Sequence, residues 1–127
     1  MSLNLSVGIE RIESFKVEDK HIADFLGSGK VAVLSSPSMI LWMEHTAMLA
    51  AQKYLPEGWI TVGTRVDVRH LKATKKGEEV KVTAKLKEVE GKRLVFEVIA
   101  YHKDDKIGEG IHERYIVNKE KFMEKLK

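Results

Sequence analysis

The spacing of hydrophobic and polar positions changes along the chain, and each change marks an element. From Val31 to Gln52, 22 consecutive residues carry one formal charge, Glu44. From Pro37 onward, Met39, Ile40, Leu41, Met43, Ala47, Met48, Leu49, Ala50 and Ala51 surround the axis instead of forming one stripe, which predicts a buried helix. Ser36-Pro37 marks its start, with a side-chain oxygen for the unpaired amides and a proline at the first helical position. Tyr54-Leu55-Pro56-Glu57-Gly58 marks its end. Beyond that point the period falls to two. Thr61 to Leu71 places Val62, Thr64, Val66, Val68 and His70 on one strand face, and Gly63, Arg65, Asp67, Arg69 and Leu71 on the other. Glu79 to Val89 continues with Val80, Val82, Ala84 and Leu86 inward. Glu90-Gly91 turns into a strand over Arg93 to His102, and Asp104-Asp105 into another over Ile107 to Val117.

The flanks are less regular. Leu5 to Val17 reads as a strand whose alternation slips once, as a bulge would make it slip. Glu18 to Phe25 is a short helical or irregular stretch ending at Gly27-Ser28-Gly29. Gly108 and Gly110 suggest a bulge or the close approach of another backbone or ligand. Asn118-Lys119-Glu120 opens a short terminal helix that Phe122, Met123 and Leu126 would dock. The order of strand, long apolar helix and at least four antiparallel strands predicts an α+β domain with a sheet wrapped around one central helix, the hot-dog architecture. One small sheet cannot cover a helix that is apolar all round. A homodimer is therefore expected, with a tetramer as the further possibility.

Composition narrows the setting. A chain of 127 residues suits a single domain, here 1–127. No cysteine is present, which removes disulfides, thiolate nucleophiles and Cys-ligated zinc. The start, MSLNLSVGIERIESF, has neither the basic region nor the apolar run of a signal peptide, so the expected compartment is the cytoplasm. Ser35, Ser36, Pro37, Ser38, Glu44, His45 and Gln52 argue against a membrane span in the central stretch. The net charge of +3 suits a polyanionic ligand, but no basic stripe with exposed aromatics points to nucleic acid. No metal site is expected, because Asp67 and His70 fall on opposite strand faces and no helical His-x-x-x-His occurs.

The lone charge carries the candidate chemistry. Burying an unpaired carboxylate costs several kcal/mol, so Glu44 requires a partner, a raised pKa or a gap to water. Spacing alone leaves a working group and a plain ion pair equally open. His45 points about 100° away around the helix and reads as a rim or core histidine. His70 shares the valine face of its strand and would look toward the helix and Glu44.

Ser36-Pro37, Glu44 eight residues after Ser36, VGTRVDVRH ending in His70, the VEGKRLVFEV hairpin and the closing GEGIHERYIV together resemble the hot-dog thioesterases related to fluoroacetyl-coenzyme A thioesterase, over roughly Val31 to Phe122. The resemblance implies catalytic roles for Ser36, Glu44 and His70, and substrate contacts for Gly63 and Arg114. It implies acyl-coenzyme A as substrate, with coenzyme A a part of that substrate and no separate cofactor. Ser36 stands where the family has threonine and keeps the hydroxyl. Lys30 stands where the fluoroacetyl enzyme has phenylalanine, and Phe25 is the nearest upstream aromatic.

Thioester hydrolysis needs a nucleophile or an activated water, a proton relay, and donors for the developing oxyanion. Glu44 could attack or activate water, His70 could relay protons, and Ser36 and Gly63 could donate near the carbonyl. Ser36 has the alternative role of a plain helix cap, Gly63 that of a strand bulge, and Arg114 that of an ion pair. Eight helical residues span about 12 Å, so the groups should converge from a loop and a helix, or from two subunits. Lys72, Lys75, Lys76, Lys92 and Arg93 are candidates for coenzyme A phosphates. A non-catalytic acyl-CoA-binding module, a purely structural dimer and a dehydratase are the alternatives. Free-thiol release separates the thioesterase from all of them.

Overall fold

The computed structural model describes residues 4–127. Strands β1 (Glu10–Lys16), β2 (Trp59–His70), β3 (Glu79–Glu90), β4 (Arg93–His102) and β5 (Asp105–Asn118) form one antiparallel sheet in the order β1-β3-β4-β5-β2. Helix α1 is the single turn Ala23–Leu26, α2 runs over Ser36–Gln52, and α3 over Lys119–Glu124. The α2 helix lies across the inner sheet face, as the hot-dog reading of the sequence requires. Among the described residues no helix is long and apolar enough to cross a membrane.

The core is the meeting of two periods. Met39, Trp42, Met43, Ala47, Ala50 and Ala51 recur at helical spacing and are buried against Val80, Val82, Ala84 and Leu86 of β3 and Leu94, Phe96, Val98 and Ala100 of β4. Phe96 is fully buried, and its truncation to alanine should cost about 3–5 kcal/mol. Gly108 lets the layers meet. A Cβ there would collide with Met39 Sδ and come within 2.8 Å of Met39 Cε. At Gly110 a Cβ would collide with the Asp67 carbonyl of the neighbouring strand. The close approach read from these glycines is thus by a helix side chain at one and by backbone at the other.

Several sequence expectations change. The β1 strand begins at Glu10, after a turn whose Gly8 has φ +104°. Its register with β3 is unbroken from Glu10↔Lys85 to Lys16↔Glu79, so the slipped alternation is an outward-facing Ile12 and not a bulge. Register shifts fall instead at Leu86/Glu88, at Ala100/Tyr101 and, nearest the candidate residues, in β2. Pairing runs Thr61↔Ile116 and Gly63↔Arg114, shifts, and resumes as Arg65↔Glu113 and Val66↔His112 through His70↔Gly108. Residues paired across a ladder share a face, so Thr61 and Gly63 point inward before the bulge and Val66, Val68 and His70 after it. Val62 pairs with exposed Tyr115 on the outer face.

The central helix is also not buried all round. Leu41 is 59% exposed, and Ile40, Glu44, Met48 and Leu49 are partly so. Its apolar outer side is left uncovered by a single chain. Of the residues expected to dock α3, Phe122 is partly buried while Met123 and Leu126 are exposed.

Candidate active site

The site begins with two adjacent serines that divide their work. Ser35 caps α2: its side chain accepts a hydrogen bond from the Ser38 amide at 3.1 Å and donates to Ser38 Oγ at 2.9 Å. The capping role considered for Ser36 therefore belongs to its neighbour. Ser36 is the first helical residue, its hydroxyl is free of the helix, and its Oγ lies 2.8 Å from His70 Nδ1. His70 ends β2 on the inner face, opposite Gly108. Its Nε2 is buried and has no hydrogen-bond partner among the described residues. Burial lowers the His70 pKa, with the Lys72 backbone opposing, so the ring is neutral near pH 7. A cleft of about 340 Å³ opens beside this pair, lined also by Gly29, Val31, Leu71 and Lys72.

A second polar cluster lies at the far end of β2. Arg114 is 7% exposed, and no carboxylate is within ion-pair distance of it among the described residues. Its Nε donates to Thr61 Oγ1 at 2.8 Å, Nη2 to the Thr61 carbonyl at 3.0 Å, and Nη1 to His112 Nε2 at 3.1 Å. His112 Nδ1 lies 2.8 Å from the Arg65 carbonyl, just past the bulge. Gly63 faces both side chains: a Cβ there would sit 3.2 Å from His112 Cε1 and 3.4 Å from Arg114 Nη1. Burial lowers the Arg114 pKa, and the field of Glu44 opposes that shift. Glu44 itself is partly exposed and makes no hydrogen bond or ion pair with a described residue.

The structure thus joins Ser36 to His70, and Gly63 to Arg114, while Glu44 acts electrostatically on Arg114 and His112 and not on His70. Gly63 and His70 are seven steps apart along the strand, about 23 Å. His112 and Thr61 did not stand out in the sequence. Their signal was parity: His112 and Arg114 alternate with Gly108, Gly110 and Ile116, which places a histidine and an arginine on the core face of β5.

The cationic candidates also sort themselves. Lys72 lines the Ser36–His70 cleft and lies 3.4 Å from Asp105. Lys76 pairs with Asp19 at 2.8 Å, and Lys92 stands 5.2 Å above the Trp59 ring. Arg93 is committed to the outer face, where it and Arg65 hold the Glu113 carboxylate at 2.8 and 2.9 Å and keep its pKa low. Phe25 is 68% exposed on α1 and His45 is exposed on α2.

A long helix cradled in an antiparallel sheet makes this a hot-dog protein, and similarity reaches a thioesterase superfamily member from Thermus thermophilus with TM-score 0.88, 29% identity, and coverage of 95% of this chain and 90% of that one. The relationship can be drawn more narrowly. The chain belongs to the fluoroacetyl-CoA-specific thioesterase family, whose model matches residues 17–120. It is 40% identical over 95 residues to the fluoroacetyl-CoA thioesterase of Streptantibioticus cattleyicolor, covering 75% of this chain and 68% of that protein. A serine-for-threonine variant of fluoroacetyl-CoA thioesterase in complex with acetyl-CoA superposes with TM-score 0.88 at 34% identity, covering 96% of each chain. The family expected from the sequence motifs is the family found.

Proposed function

We propose that this protein hydrolyses the thioester of a small or medium acyl-coenzyme A, acting as a single-domain cytoplasmic homodimer. The observation that carries the reading is the 2.8 Å Ser36–His70 contact beside a cleft, with His70 Nε2 buried and unpartnered. A neutral imidazole with one nitrogen anchored and the other free is equipped to move a proton at a reacting atom. Glu44 is the carboxylate assigned to attack the thioester carbonyl or to activate water. Ser36, Gly63 and Arg114 contact the substrate carbonyl as negative charge grows on its oxygen. Water is consumed, and the thiol and the carboxylic acid leave. Lys72, at the cleft, is the cation assigned to the coenzyme A phosphates.

Two features support the dimer. The apolar outer side of α2 is uncovered, and β2 is an edge strand whose Val66 is 41% exposed. A second copy laid antiparallel along β2, with the two-fold axis between Val66 and Asp67, would set His70 opposite the partner subunit's Gly63. The two half-sites would then close into one.

The test is free-thiol release from acetyl to palmitoyl coenzyme A thioesters by wild type, Glu44→Gln and His70→Ala. Loss of a clear wild-type activity in both variants is expected. Mixing His70→Ala with Arg114→Ala chains should restore about a quarter of wild-type activity, since half the dimers are mixed and each has one intact site. No thiol release by folded wild type would overturn the function, and no recovery on mixing would overturn the shared site.

A further inference from the structure

We propose that His112 is a positioning residue for this hydrolysis, holding Arg114 in place through the lone pair on its Nε2; the inference rests on the function proposed above. The hydrogen bonds determine the form of the ring. A guanidinium can only donate, so the 3.1 Å contact with Arg114 Nη1 requires an unprotonated His112 Nε2. A carbonyl can only accept, so the 2.8 Å contact with the Arg65 carbonyl requires the proton on Nδ1. His112 is therefore the neutral Nδ1–H tautomer. It is 1% exposed, which favours the uncharged ring. The groups facing it are Arg114, which also disfavours a second proton, and Glu44 and Glu113, which oppose that effect.

The consequence falls on Arg114. Three of the five N–H bonds a guanidinium carries go to neutral acceptors, Thr61 Oγ1, the Thr61 carbonyl and His112 Nε2. One N–H on each terminal nitrogen is left for an anion. Thr61 holds the Nε side of the fork and His112 holds the other, so the plane cannot swing about its stem. Gly63 leaves the space beside Nη1 open. Were His112 unable to accept, Nη1 would lose its anchor and the two remaining donors would lose their aim. His112 has no nitrogen left over with which to move a proton, so it acts only through Arg114.

The experiment compares kcat and KM for acetyl-CoA hydrolysis in wild type, His112→Phe and His112→Gln, alongside the thermal midpoint of each and the nitrogen-NMR signals of the imidazole ring. At pH 7 the wild-type ring should report the neutral Nδ1–H tautomer. His112→Phe, which keeps the bulk and deletes both bonds, should lower kcat by about 10- to 100-fold. His112→Gln, whose amide oxygen can accept from Arg114, should recover most of that loss. In an Arg114→Lys background His112→Phe should cost nothing further. A kcat unchanged in His112→Phe with only the midpoint lowered, losses that multiply in the double variant, or a ring that is cationic at pH 7 would each overturn the positioning role. A wild type that releases no thiol would instead overturn the underlying function.

Discussion

His70 and His112 face the same side of the sheet, and burial pushes both toward the neutral ring. They differ in what is left over. His112 has spent both nitrogens, one on a backbone carbonyl and one on a guanidinium. His70 has spent one, on an exposed serine, and its other nitrogen is buried without a partner. An unsatisfied buried polar atom costs about 1–3 kcal/mol, and nothing else in the core near His70 requires that cost. The comparison teaches that a lowered pKa alone does not identify a working histidine, because a fully bonded ring shares it. The unused valence makes the distinction.

The contrast can be broken most decisively at its larger end. His70→Ala should reduce kcat by about 100- to 10,000-fold while leaving the thermal midpoint near that of wild type; a midpoint that fell in step with activity would make His70 a structural residue. A subtler test uses protons. The folded-state pKa of both rings is depressed, as is that of His21, so above the unfolded histidine value of about 6.5 neither state gains a proton and stability is level. Below it the unfolded chain takes up protons that the folded chain refuses, and stability falls with pH. The urea midpoint should therefore decline from pH 7.5 to 5.5, and less steeply in His112→Gln. A midpoint rising on acidification would reverse the sign argued for these rings. The smallest effect separates the serines: Ser35→Ala should cost about 1 kcal/mol of stability through the lost cap, whereas Ser36→Ala should change stability by less than about 0.5 kcal/mol and lower kcat. Equal stability losses would mean that both hydroxyls serve the helix.

The parts of the fold governed by strict local periodicity were legible in the sequence. The inward rows of β3 and the span of α2 follow from which residues avoid water, and the two hairpins follow within a residue or two from Gly91 and the turn at Lys103. The β2 bulge was hidden because an inserted Thr64 leaves TVGTRVDVRH still alternating on the page, while the ladder to β5 shifts beneath it. The Ser35–Ser36 division was hidden for a related reason. Either hydroxyl could cap, and the choice depends on where the first helical turn is laid against β2. In the candidate site, the lone charge of the helix brought Glu44 forward and strand parity His70, and motif resemblance added Ser36, Gly63 and Arg114. It passed over His112, which becomes visible only when the polar members of β5 are seen to share parity with its buried ones.

The missing side chain at Gly108 works as a shim of zero thickness. This residue is the ladder partner of His70, and Met39, lodged in the space above it, follows Ser36 by less than one helical turn. The height of the helix over the sheet is thus gauged at the same place where the hydroxyl meets the imidazole. One added methyl, touching neither Ser36 nor His70, would first have to turn the Met39 thioether out of its place between helix and sheet. The packing of α2 over the end of β2 thus depends on the smallest residue in the chain.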